Sequence, residues 1–375
     1  LRRRMEEAGL SVRLDAGGNL IGRRAGRVPG RGTIVVGSHT DTVPSGGRFD
    51  GPAGVIAGLE IARALGDHGI VLDHDLEVID CLAEEVSIYG LSCVGSRAVC
   101  GQLDAAALAR TSPDGEALRD GLARMGGDAA RLAQAVRGDV AAYFELHIEQ
   151  GPILEEERLD VGIVTAIAGI TRWEIVVEGR ADHAGTTPMD RRADALVAAS
   201  ELVLTIRALA HRRFARETGH FAATVGEFSV EPGAANVVPS RARLLIDARA
   251  EHRASMDAFG AELAEHVRRI AETHGVAIAA PRLVSDNPPT PATAGLMNIL
   301  ETAADAIGAS HRRMASGAGH DMAWFARIAP AAMVFIPCRE GRSHSADEWA
   351  EPDAIALGAG VLYEAVRRFD AAPGT

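Results

Sequence analysis

Histidines and carboxylates recur where short apolar runs of this sequence end. His39 closes the run Thr33-Ile34-Val35-Val36-Gly37-Ser38, Asp41 follows two residues on, and Asp50 lies in Phe49-Asp50-Gly51. Residues two apart in an extended segment face the same side. The Asp41 carboxylate is therefore expected to accept a hydrogen bond from the His39 imidazole and fix its tautomer, a usual arrangement behind a metal-binding histidine. Asp50 supplies a carboxylate at a helix start; taken alone, it reads equally well as an N-cap, and His39 as an ordinary loop histidine. Glu84 and Glu85 follow the run Leu76–Leu82. Two adjacent carboxylates at a buried strand end are costly unless cations neutralise them or one holds a proton. One of the pair can then ligate while the other acts as a base, the plainer alternative being a solvated acidic loop. His147, after Tyr143-Phe144-Glu145-Leu146, and His344, in Gly341-Arg342-Ser343-His344-Ser345, add two histidines in similar settings, whereas His68, His211 and His274 fall in polar or helical contexts. Imidazole and carboxylate together suit zinc, manganese, cobalt or nickel, and ligand type does not choose among them.

The elements that must position these residues follow from periodicity. Thr33–His39, Leu76–Leu82 and Ala141–His147 are short β-branched or apolar runs expected as buried strands, and Ala53–Leu65 has helical spacing. The segment from Leu103 to Val136 is expected to be largely helical. Strands alternating with helices imply an α/β fold with a mainly parallel sheet covered on both faces. The pattern changes near Ala168: strand Thr171–Gly179, helix Ala193–His211, strands Phe221–Phe228 and Ala242–Ala250, and helix Ser255–His274 form an α+β unit. The expected division is a first domain over residues 1–168 and 287–375, with an inserted domain at 169–286; Asn287-Pro288-Pro289-Thr290-Pro291 is the return linker.

Composition prunes the alternatives. The 375 residues include no lysine, which removes a Walker A lysine, a pyridoxal phosphate Schiff base and a Ser-Lys dyad. No GxSxG elbow or complete dinucleotide fingerprint is present. The net charge of −12 is spread without a basic stripe, so a small molecule is the expected partner and not nucleic acid. No apolar run is long enough for a membrane span, and the start at Leu1 lacks the apolar core of a signal peptide, so a cytoplasmic enzyme is expected. A leading segment ahead of Leu1 is also expected. The four cysteines have neither CxxC spacing nor a dense framework and read as reduced, buried thiols.

Seven segments in order, GSHTDTVPSGGRFDGPAGVIAGLE from Gly37, AEE from Ala83, FELHIEQGP from Phe144, DHAGTTPMDRRADA from Asp182, PGAANVVP from Pro232, SGAGHD from Ser316 and GRSHSADEW from Gly341, resemble the hydantoinase/carbamoylase amidases. These are a branch of the aminoacylase/carboxypeptidase metallopeptidase family that includes N-carbamoyl-L-amino acid hydrolases, β-ureidopropionases and allantoate amidohydrolases. The resemblance implies a metallopeptidase-like catalytic domain, an inserted lid and dimerisation domain, a homodimer, and two divalent metal ions. His39 and His147 would hold one ion, Glu85 and His344 the other, and Asp50 would bridge them. It also implies Glu84 as the general base, with Asp41 behind the metal site, and His183 at the carbonyl or oxyanion. Asn236 and Arg249 would bind a substrate carboxylate and Gln150 the ureido group. The Ser316-Gly317 turn offers backbone amides to an anion. The expected reaction is hydrolysis of a linear amide, an N-carbamoyl-L-amino acid giving the amino acid, carbon dioxide and ammonia. β-Ureidopropionase, allantoate amidohydrolase, a related aminoacylase or peptidase, and a noncatalytic binding protein are the alternatives. The segment Glu84-Glu85-Val86-Ser87-Ile88-Tyr89-Gly90 departs from the commoner carbamoylase pattern of Gly and Arg-Phe after the paired glutamates.

Overall fold

The computed structural model describes residues 1–216 and 218–372. Thr33–His39 is buried along its whole length and pairs in parallel with Asp75–Cys81 on one side and Val140–Ile148 on the other; the latter pairs in parallel with Ala331–Ile336. Continuous apolar runs suit strands covered on both faces. Antiparallel strands extend this parallel core: Leu20–Arg24 and then Ser11–Leu14 beyond Asp75–Cys81, and Val161–Ile167 beyond Ala331–Ile336. The helices Pro52–Asp67, Ala294–Ile307 and Pro352–Ala371 pack against the sheet. Because the four central strands run the same way, their carboxyl ends lie along one edge, where ligands of open α/β sheets bind. His39, Glu84, Glu85, His147 and the loop leading to His344 all belong to that edge.

The expected helical stretch from Leu103 to Val136 is mostly not helix. It contains Ala105–Leu108, Leu118–Arg124 and a single 3₁₀ segment, Ala129–Gln134. Pro113 and two glycines with positive φ, Gly115 at 85° and Gly126 at 91°, interrupt the pattern. What holds the segment is a small cluster of Tyr89, Val94, Ala98, Leu103, Leu118 and Ala135.

The chain forms two compact units, one of Leu1–Thr165, Pro291–Met314 and Ala318–Thr375, the other of Ala166–Thr290 with Ala315–Gly317. The cuts thus fall at Thr165 and Thr290 where 168 and 286 were expected, and a three-residue piece joins the second unit. The second unit has an antiparallel sheet in the order Ala277–Ile278, Gly169–Glu178, Arg241–Ala250, Phe221–Glu231, with Arg282–Asn287 also on Gly169–Glu178. Helices Ala195–Arg216 and Arg253–His274 bury Leu202, Ile206, Leu209, Phe259, Leu263 and Ile270 against Ile175, Val177, Leu244 and Ile246. Asn287 is still paired with Ile170, and Thr290–Pro291 forms a short strand of the first sheet, so the Pro-rich stretch is not a free linker. All four cysteines are buried and free. Among the described residues no helix is long and apolar enough to cross a membrane.

Candidate active site

His39 ends its strand with only 1% of its surface exposed, and its Nδ1 donates to the backbone carbonyl of Asp41 at 3.0 Å. A carbonyl can only accept, so Nδ1 carries a proton, and in the neutral imidazole Nε2 presents its lone pair. His147 repeats the arrangement, with Nδ1 donating to the Ile148 carbonyl at 2.8 Å. Both Nε2 atoms face Asp50 Oδ1, at 3.7 Å from His39 and 3.1 Å from His147, and the buried His147 Nε2 has no hydrogen bond among the described residues. The other oxygen, Asp50 Oδ2, lies 3.2 Å from His344 Nε2, which in turn lies 3.0 Å from Glu85 Oε1. Two trios therefore share one carboxylate: His39, Asp50 and His147, fully buried, and Asp50, Glu85 and His344, more open. Lone pairs aimed at a common carboxylate make an arrangement that cations stabilise.

Asp41 departs from expectation in one respect. Its carbonyl, and not its carboxylate, fixes the His39 tautomer; the nearer carboxylate oxygen is 3.6 Å from His39 Nδ1. The carboxylate instead accepts the amides of Glu84 and Glu85, both at 3.1 Å, and so sets the path of the acidic pair. The strand end is held from the other side, where the amides of Cys93, Val94 and Gly95 donate to the carbonyls of Glu84, Ala83 and Leu82. Nor is Asp50 the N-cap. That place belongs to Gly51, with φ at 83°, where a Cβ would come within 2.4 Å of the His39 ring. Ala83, Gln150 and His344 all have positive φ, at 50°, 58° and 55°. Such backbone costs roughly 1–3 kcal/mol per residue and persists only where its surroundings enforce it.

Glu84 is 7% exposed and belongs to neither trio; its Oε2 lies 3.8 Å from His39 Nε2. Burial, with the carboxylates of Asp321, Glu85 and Glu145 nearby, pushes its proton affinity well above the ordinary range, opposed by His39. Burial would also raise Asp50, but His147, the Ser343 hydroxyl and His39 outweigh it and hold that carboxyl well below the usual range. Glu85 is raised by burial and by Asp50 and Asp41, against the pull of His344 and His39. One carboxyl group is thus kept proton-seeking beside another kept ionised, the separation that acid-base work needs.

Gln150 donates through Nε2 to Asp50 Oδ2 at 2.7 Å and to Ser343 Oγ at 3.2 Å, leaving Oε1 buried without a partner among the described residues. In the second unit, His183 and Asn236 come together: His183 is bridged to Val237, and the Ala184 amide donates to the Asn236 carbonyl at 3.0 Å. The Gly185 amide donates to His183 Nδ1, so the imidazole proton sits on Nε2. Arg249 donates from Nε to Asp247 and from Nη1 to the carbonyl of Gly317, at 2.9 and 2.7 Å, while Ser316 accepts the Ala168 amide through its carbonyl.

Three buried acids escaped the sequence reading. Glu145 accepts Ser38 Oγ, Tyr143 Oη and the Met322 amide, and burial together with Asp321 pushes it up to about 7. Asp321 accepts Ser96 Oγ at 2.6 Å, and Glu348 binds the loop carrying Asp50. Glu145 left one signal, a lone charge in an otherwise apolar central strand. The other two stand inside the SGAGHD and GRSHSADEW segments, where nothing local gives them a role, because their partners are more than two hundred positions away.

A mainly parallel α/β sheet with a histidine-carboxylate cluster at its carboxyl edge defines a metallohydrolase type of architecture, and the comparisons with known proteins agree. The model of peptidase family M20/M25/M40 matches residues 35–368. The N-carbamoyl-L-amino acid amidohydrolase of Geobacillus stearothermophilus is 40% identical over 364 residues, 96% of this chain and 88% of that protein. The ureidoglycolate hydrolase of Arabidopsis thaliana is 37% identical over 96% of this chain and 76% of its own length. The crystal structure of a hydantoinase/carbamoylase family amidase from Burkholderia multivorans superposes with a TM-score of 0.89 at 38% identity, covering 99% of this chain and 89% of that one. The chain belongs to peptidase family M20/M25/M40 and, within it, to the hydantoinase/carbamoylase amidases.

Proposed function

We propose that this protein hydrolyses an N-carbamoyl-L-amino acid to the free amino acid, carbon dioxide and ammonia with the help of two divalent cations. The observation that carries the reading is the two-sided Asp50 carboxylate, with His39 and His147 facing one oxygen and His344 facing the other. His39, Asp50 and His147 would hold one cation, and Asp50, Glu85 and His344 the other. When bound, zinc, manganese, cobalt or nickel in such a pair supplies Lewis acidity and eases deprotonation of water. Glu84, outside both trios, takes a proton from the attacking water and returns it to the leaving nitrogen. Asp41 holds the acidic pair in place through the two amides. His183 carries its proton on Nε2 and is suited to donate to the oxyanion. Asn236 and the forked guanidinium of Arg249 recognise the substrate carboxylate, Gln150 Oε1 accepts from the ureido group, and the Ser316-Gly317 turn offers amides. Support for the substrate class comes from the 40% identity to an N-carbamoyl-L-amino acid amidohydrolase.

A homodimer through the second unit belongs to the same reading. Phe221–Glu231 is the edge strand of its sheet with Phe228 41% exposed, and light scattering of the purified protein tests the association. Ureidoglycolate is the second reading of the substrate, favoured by the Arabidopsis thaliana relative; allantoate stays among the alternatives. Turnover of N-carbamoyl-α-amino acids, N-carbamoyl-β-alanine, ureidoglycolate, allantoate and N-acyl amino acids, each with every candidate metal, decides between them. Preference for an N-acyl substrate, or no turnover of any with metals loaded, defeats the proposal.

A further inference from the structure

The two loops that carry Asp50 and His344 come from opposite ends of the chain, yet both meet a single buried side chain. Glu348 is 1% exposed; its Oε1 accepts the amides of Phe49 at 2.8 Å and of Asp50 at 3.0 Å. Its Oε2 lies 3.0 Å from Ser343 Oγ, which is 2.5 Å from Asp50 Oδ2. That hydroxyl has one proton for two carboxylates, while Gln150 Nε2 donates to it at 3.2 Å. Two amides on one carboxylate oxygen fix the peptide planes around Asp50 and therefore the direction its side chain leaves the backbone. The loop comes so close that a Cβ at Gly47 would lie 2.2 Å from Glu348 Oε1, so the contact depends on a glycine there. On the other side, His344 sits at a φ of 55°, a conformation its neighbours must enforce, and the adjacent Ser343 is the point of attachment.

We propose that Glu348 is a positioning residue for the more open cation site: it ties the Asp50 loop to the His344 loop and sets the spacing of those two ligands. This rests on the two-cation reading above. Glu348 lies outside both ligand trios, and its hydrogen bonds reach the site through the Asp50 backbone and the Ser343 hydroxyl. Outer partners of metal ligands change affinity about 10- to 100-fold when removed.

The test uses metal-free full-length protein titrated with cobalt(II), followed by calorimetry and visible absorption, together with the melting temperature of each metal-free protein. Wild-type protein is expected to bind two equivalents; failure to do so refutes the two-cation reading itself, whatever the variants show. In Glu348→Ala the tighter equivalent is expected to bind within about threefold of wild type, and the weaker one about 10- to 100-fold less well with an altered spectrum. Glu348→Gln keeps an acceptor for the two amides and gives Ser343 a donor, so it is expected to restore most of that affinity. Glu348→Asp keeps the charge but is too short to span both loops, and is expected to weaken the second equivalent alone; it decides the matter if the alanine variant does not fold. Equal weakening of both equivalents in step with a lower melting temperature, or an unchanged second equivalent in Glu348→Ala or Glu348→Asp, overturns the proposal.

Discussion

Replacing Glu84 by glutamine separates the chemistry of the site from its assembly. The amide has the same shape, so it can occupy the pocket 3.8 Å from His39 Nε2 and beside Cys93 Sγ, 3.5 Å from Glu84 Oε1. It cannot accept a proton. Because Glu84 is in neither ligand trio, both cation sites are expected to fill as in wild type. Only 7% of Glu84 is exposed, so bulk water has poor access to the position and is an ineffective substitute base. A positioned general base contributes about 100- to 10,000-fold, and each factor of ten is about 1.4 kcal/mol, so the expected loss in kcat is about 3–5 kcal/mol. The assay is release of the free amino acid from its N-carbamoyl derivative at saturating substrate, with metal content measured by mass spectrometry on the same samples. A variant that loses a metal equivalent would make Glu84 a ligand. One that keeps both metals and turns over within threefold of wild type would show that it takes no part in proton transfer, and either result refutes the reasoning.

Arg249→Lys is expected to lower kcat/KM for a carboxylate substrate by about 2 kcal/mol or more with metal content unchanged, since the single ammonium of lysine cannot reproduce the planar fork whose separate nitrogens reach Asp247 and the Gly317 carbonyl. A neutral-amide analogue of the substrate should be nearly indifferent to the change, and equal losses on both would assign Arg249 to the fold. His344→Ala is expected to lose one of two metal equivalents along with activity; two full equivalents with wild-type turnover would remove it from the site. Arg137 bridges Glu77, 2% exposed, and Asp139. Arg137→Ala should destabilise by about 3 kcal/mol in denaturant unfolding, the low end for breaking a buried pair because Arg13 still reaches Glu77. Arg137 and the Thr33 hydroxyl outweigh burial and lower Asp139 to about 2 from 3.8; its contribution to stability is present above pH 3.8 and lost as pH falls through about 2. Asp139→Asn should remove that part of the acid slope, and an unchanged slope would place the titration elsewhere.

His39, Glu84, Glu85 and His147 were legible in the sequence because each sits at or just after the end of a locally determined strand. Thr33–His39 reads as a strand from its own β-branched run, and Glu84 and Glu85 follow another strand closely enough to share its placement. The pairing of specific ligands around Asp50 came from the family resemblance; spacing along the chain alone left His39 a possible loop histidine. Where local pattern misled, breakers were the reason, as in the Leu103–Val136 segment, where Pro113, Gly115 and Gly126 cut a helical period short. Other features were decided only by the tertiary structure. Whether His39 donates to the carbonyl or the carboxylate of Asp41 depends on where the Glu84 and Glu85 amides lie, and those arrive from a neighbouring strand. Glu348 looks like any loop acid until folding brings Phe49 and Asp50, almost three hundred positions away, against it. Local propensity acts over a few residues and can be read from them, whereas a hydrogen bond between distant loops exists only once the sheet has brought those loops to one edge.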